Sequence, residues 1–132
     1  EDWLPIVAHS PGPYFFVADG VLAYLTEEQV TTLLTRIASH FPGAFIALDT
    51  FPQRTLDWQL QLAARRGIPA RFRWACDDPH SLERLGLRVV ESTGVARLPG
   101  PVRRQLPARY RFLLPLAAPV VGQAMRVTLL QA

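Results

Sequence analysis

Residues 14–18 (YFFVA) and 44–49 (AFIALD) are two short apolar runs without alternation, joined by one amphipathic segment. A run of that kind is the pattern of a strand covered on both faces, as in a parallel sheet. Between them Val30, Leu33, Leu34, Ile37, Ala38 and Phe41 recur at helical spacing and predict a helix over 26–41. Thr26 and Gln29 form a T-x-x-Q capping box, Leu25 and Val30 can close a hydrophobic staple around it, and Pro42-Gly43 ends the helix. Strand, helix and strand within 36 residues require a right-handed βαβ crossover.

The rest of the chain continues in the α/β style. Residues 55–66 predict a helix closed by Gly67 and Pro69, and 70–75 (ARFRWA) a short strand or an extended loop. Asp78 reads as an N-cap with Pro79 at the first helical position, and Gly86 ends that short helix. LRVVES (87–92) and AMRVTLLQ (124–131) read as strands, the later part returning like an antiparallel hairpin. Residues 93–124 are rich in proline, glycine and arginine and read as loop with one helical turn. The first ten residues read as a helix end and loop already under way. Because the first residue is Glu1 rather than Met, the expectation is a piece of a longer protein. Nothing divides residues 1–132 into two domains.

Composition narrows the function classes. All 14 basic residues are arginine, which we read as coding bias more than chemistry, and the net charge of +3 is too small to imply nucleic acid without a focused patch. No run reaches the roughly 18 apolar residues of a membrane span, and residues 112–122, the nearest approach, contain two prolines. The expectation is therefore no nucleic acid and no membrane. Cys76 is the single cysteine, which fits a reducing, cytoplasmic setting. His9, His40 and His80 lack metal-ligand spacing, so no metal is expected. G-x-S-x-G, P-loop and G-x-G-x-x-G motifs are absent from the 132 residues.

In open α/β sheets ligands bind beyond the carboxyl ends of the strands. Asp19 and Asp49 stand at two such ends, where a carboxylate accepts hydrogen bonds and favours cationic ligands, and Gly20 lets a ligand approach the backbone. The plainer alternative is that each Asp caps a turn or helix. Tyr24 lies close enough in sequence to line the same site, or is a rim or core tyrosine. Trp74 with Arg71 and Arg73 suggests a substrate wall, or a half-buried tryptophan with solvated arginines. Asp77-Asp78 reads as a helix cap rather than an acid pair.

The segment VADGVLAYLTEEQV (17–30) resembles the E-G-V-L-x-Y-L stretch of the leucine carboxyl methyltransferase-like family of S-adenosylmethionine-dependent O-methyltransferases. The resemblance continues through HFPGAFIALDTF (40–51) and RFRWACDDPHSLERLGLRVVES (71–92), the latter similar to the bacterial, tetracenomycin-type polyketide branch. It covers residues 13–92. It implies an α/β fold, the C-terminal half of a Rossmann-like class I methyltransferase sheet. Residues 14–18, 44–49, 87–92 and 124–131 would be strands four to seven, the last antiparallel between the fifth and sixth. The glycine-rich cofactor loop and the ribose-binding acid would lie outside this chain, and the chain alone would be inactive.

By the same resemblance Ala18, Asp19, Gly20 and Tyr24 face the methionine part of S-adenosylmethionine, and Asp49, Phe51, Arg73 and Trp74 lie toward a small-molecule acceptor. Where the family usually has Glu, this sequence has Asp19, one methylene shorter, which favours a weaker or water-mediated contact. A carboxylate acceptor needs no general base, whereas a phenol or alcohol would, and no residue is assigned to that role. The alternative is a non-enzymatic interaction module. In it strand 14–18, an apolar edge of the kind proteins normally cover, pairs with a second copy as a homodimer. Otherwise that edge pairs with a missing N-terminal half.

Overall fold

The computed structural model describes residues 3–94, 100–108, 111 and 124–132. Along them run helix α1 (Leu4–Ala8), strand β1 (Phe15–Ala18), helix α2 (Glu27–His40), strand β2 (Phe45–Thr50), helix α3 (Gln53–Arg65), strand β3 (Arg88–Gly94), helix α4 (Gly100–Gln105) and strand β4 (Arg126–Gln131). Short 3₁₀ turns occupy Leu22–Tyr24 and Pro79–Leu85. The fold is mixed α/β with a four-stranded sheet in the order β1-β2-β4-β3. β1 and β2 are parallel, and β4 lies antiparallel between β2 and β3.

The crossover helix forms where its pattern predicts. Thr26 is extended, its Oγ1 accepts from the Gln29 amide at 3.2 Å, and Gln29 Oε1 accepts from the Thr26 amide at 2.9 Å. Glu27 and Glu28 in the first turn and His40 in the last complement the helix dipole. Val30, Leu34 and Ile37 are buried against Ile46, Leu48 and Leu130 of the sheet, each stabilising the fold by roughly 1.5–3 kcal/mol. The end of β4 is tied back to the start of β2 through Gly43 N–H to Ala132 O and Ala132 N–H to Ala44 O, both 2.9 Å.

The expectation of strands covered on both faces is corrected for β1. Its burial alternates: Phe16 and Ala18 pack against the core, while Phe15 is 60% and Val17 69% exposed. The register continues that side of the sheet through Phe15 opposite Phe45, Val17 opposite Ala47 and Ala47 opposite Leu129, and Val127 is exposed on it whereas Asp49, opposite Val127, is buried. The physical reason is the placement of the helices. α1, α2 and the 79–85 turn contribute Leu4, Val30, Leu34, Ile37 and Leu82 to one core, and α3 buries only Thr55 and Leu56. Residues 70–75 are an extended loop, not a strand. β3 is interrupted by a register shift between Val89 and Glu91 that leaves Val90 exposed. In the segment read as loop with one helical turn, α4 supplies the turn, while 95–99, 109–110 and 112–123 lie outside the described residues. No helix among the described residues is long and apolar enough to cross a membrane.

Candidate functional site at the carboxyl edge of the sheet

The three strands that run in the same direction deliver their carboxyl ends to one edge. β1 stops at Ala18 before Asp19-Gly20, β2 at Thr50 before Phe51-Pro52, and β3 at Gly94. Antiparallel β4 begins at that edge, with Arg126 in register with Thr50 on one side and Gly94 on the other. The edge thus gathers residues from positions 19 to 126 of the chain.

Asp19 and Gly20 form an exposed bend. Gly20 has φ +65°, a left-handed conformation that costs a glycine little. A Cβ placed there would meet no heavy atom within 4 Å, so the space above the bend is open. The chain then turns inward through the 3₁₀ residues, with Leu22 1% and Ala23 5% exposed, and comes out again at Tyr24. Ala18, Asp19, Gly20 and Tyr24 are therefore brought to one stretch of the edge.

Asp49 behaves differently from Asp19. Its side chain is buried, 6% exposed, and its Oδ1 accepts from the Gly20 amide at 3.0 Å. It joins the end of β2 to the bend after β1 rather than standing free toward an acceptor. The extended segment 70–76 seals the same edge. The Arg73 and Trp74 amides donate to Ala23 O at 2.8 and 3.3 Å, and the Cys76 amide donates to Phe51 O at 2.9 Å. The Phe72 ring lies 5.1 Å from Tyr24. Arg71 and Arg73 point out to solvent and Phe51 is half-buried. Trp74, expected beside Arg73 as part of a substrate wall, is 4% exposed and packs in the core. The structure does not bring it to the surface with Arg73: successive residues of the extended segment face opposite ways, Arg73 to solvent and Trp74 into the core.

Both members of Asp77-Asp78 act as caps. Asp78 Oδ1 accepts from the His80 amide at 3.0 Å. Asp77 Oδ1 accepts from the Gln53 amide at 3.1 Å, serving the start of α3, where Pro52 offers no side-chain cap. Cys76, just before them, is buried, and burial is the main cause that pushes its thiol up from the usual 9.0 to about 11.

Sequence reasoning missed Arg126. Its Nε donates to Ser92 Oγ and its Nη2 to Ser92 O, both at 2.9 Å, while Ser92 Oγ meets Thr128 Oγ1 at 2.9 Å. Arg126 lines a cavity of about 340 Å³ with Pro52, Arg54 and Asp77 at the end of β2. The local signal is slight, since only the pairing of β4 with β2 and β3 carries Arg126 to this edge. A second cavity, of about 420 Å³, lies between α1 and α2 and is lined by none of the expected site residues.

Known proteins place this geometry in context. No family model matches the chain. It is 32% identical over 83 residues to the tetracenomycin polyketide synthesis O-methyltransferase TcmP of Streptomyces glaucescens, a match covering 63% of this chain and 30% of that protein. A crystal structure of a DUF574-family protein from Streptomyces avermitilis superposes with a TM-score of 0.53 at 15% identity, covering 99% of this chain and 53% of that one. The likeness to the solved structure is one of fold. The chain spans about half the length of that structure, and the matched segment is less than a third of the curated relative. The resemblance drawn from residues 13–92 stands: the chain is a partial homologue of a polyketide O-methyltransferase.

Proposed function

We propose that this chain is the carboxyl-terminal portion of an S-adenosylmethionine-dependent O-methyltransferase acting on an oxygen of a small, polyketide-type acceptor. The observation that carries the reading is the 32% identity to a polyketide O-methyltransferase. The strand order supports it, with β4 antiparallel between β2 and β3; in this reading β1, β2, β3 and β4 are strands four to seven of a Rossmann-like sheet. The glycine-rich loop and the ribose-binding acid belong, in this reading, to a part of the protein outside these 132 residues.

The residues present suit the methionine end of the cofactor. Asp19 is an exposed carboxylate able to accept from an ammonium group, and Gly20 leaves open space at the backbone. Ala18 and Tyr24 flank them. When bound, the cofactor supplies a methyl group already activated on a sulfonium. The protein's share is then to bind, orient and keep water out. Asp19 anchors one end of the cofactor, while Phe51 and Arg73 lie on the acceptor side of the edge. Isothermal titration of the whole protein with S-adenosylmethionine tests this. Binding is expected, weakened about tenfold in Asp19→Ala by loss of one charge-assisted hydrogen bond. Absence of binding, or an unchanged affinity in the variant, would refute the assignment.

A second reading has one observation behind it. Phe15 and Val17 are exposed on β1, which is an edge among the described strands. In the methyltransferase reading the rest of the protein covers that face and pairs with the free edge of β1. In the rival reading the chain is an interaction module that pairs with a second copy there.

A further inference from the structure

We infer that Asp49 is a positioning residue: its carboxylate latches the Gly20 amide and so holds the bend that presents Asp19 at the carboxyl edge. The inference rests on the proposed methyltransferase reading for what the bend is used for, but the latch itself rests on the geometry of the two strand ends.

A carboxylate is seldom buried without a partner, because removing it from water is costly unless hydrogen bonds compensate. Asp49 is 6% exposed, and among the described residues the polar group it meets is the Gly20 N–H, 3.0 Å from Oδ1. The Gly20 amide satisfies that buried oxygen, and a side-chain amide oxygen in the same place would accept the same hydrogen. The bend is otherwise thinly fastened. Asp19, Gly20 and Val21 are all exposed, and a Cβ at Gly20 would have no neighbouring heavy atom within 4 Å. The chain regains the core only at Leu22 and Ala23, where Ala23 O is gripped by the Arg73 and Trp74 amides. Between Ala18 in the sheet and Leu22 in the core, the bond to Asp49 sets the direction of the backbone.

The bond also selects the conformation. At φ +65° the Gly20 N–H turns toward β2 while the Asp19 side chain stays on the solvent side. The two acids that look equivalent in sequence therefore divide the work. Asp19 faces the ligand, and Asp49, one strand over, faces the backbone that carries Asp19.

The test separates a latch from a ligand contact by charge. In the whole protein, Asp49→Asn keeps an oxygen acceptor for the Gly20 amide and removes the charge, whereas Asp49→Ala removes both. A latch predicts S-adenosylmethionine affinity in Asp49→Asn within about threefold of the parent, and a loss of about tenfold or more in Asp49→Ala. Equal losses in both variants would mean that Asp49 acts on the ligand through its charge, and would overturn the inference. Amide hydrogen exchange supplies an arm that uses no cofactor, and its first readout needs no variant. The Gly20 amide should exchange more slowly than an unprotected amide in the unmutated protein, and faster in Asp49→Ala than in Asp49→Asn. An unprotected Gly20 amide in the unmutated protein would overturn the latch even if Asp49→Ala failed to fold. Failure of the unmutated protein to bind S-adenosylmethionine would instead overturn the functional reading and leave the exchange arm to decide the latch.

Discussion

The Cys76 side chain is 5% exposed, and its thiol loses its proton near pH 11 instead of 9.0. Burial is the largest cause; a hydrogen bond from Ser81 offsets part of it, and the charges of Asp78, Asp77 and Glu27 add to it. The unfolded chain releases this proton before the folded one does, so the contribution to stability is complete below pH 9 and is lost as the pH rises toward 11. Urea unfolding of the native protein should show that loss between pH 9 and 11, and Cys76→Ser should remove this component of it. Reaction with a thiol reagent at neutral pH should be slow until the protein is unfolded. Single residues were legible where their partners are close in sequence, as for Thr26 with Gln29 and Asp78 with the His80 amide. They were not legible where the partner is distant. Nothing near Asp49 announces that it turns to Gly20, 29 positions away. Trp74 after two arginines reads as half-exposed until the core that receives its ring is assembled from distant elements.

Among the elements, α2 has the most complete local code: a reciprocal cap, acids in the first turn and one apolar face. Thr26→Ala removes half of that cap and should lower the unfolding free energy by about 1 kcal/mol. Leu34→Ala opens the fully buried face and should cost roughly 2–5 kcal/mol, so chemical denaturation of the two variants ranks cap against core. A larger effect for Thr26→Ala than for Leu34→Ala would show that the helix is held by its end rather than by its packing. β1 was legible as a strand but not in its exposure, because a run of apolar residues does not say which helices cover it. The disruption of β3 at Val90 was likewise hidden, since a register shift is decided by the partner strand.

For the whole molecule, one sheet face carries α1 and α2, while the other shows Phe15, Val17 and Val127 to solvent. An uncovered apolar face beside the free edge of β1 invites association. The 132-residue chain on its own should therefore self-associate in light scattering, and Val17→Lys should shift it toward monomer. A clean monomer of the unmutated chain at high concentration would contradict that expectation. The strand order is the one the resemblance implied, yet the arrival of Arg126 beside the ends of β2 and β3 emerges only when β4 inserts between them. If the rest of the cofactor site lies elsewhere in the protein, the isolated chain should bind S-adenosylmethionine far more weakly than the whole. The most direct measurement is calorimetric titration of S-adenosylmethionine into the whole protein, into Asp19→Ala and into the 132-residue chain. Our account predicts binding by the whole protein, weakened binding by the variant and little by the isolated chain. No binding by the whole protein, or micromolar binding by the chain alone, would contradict it.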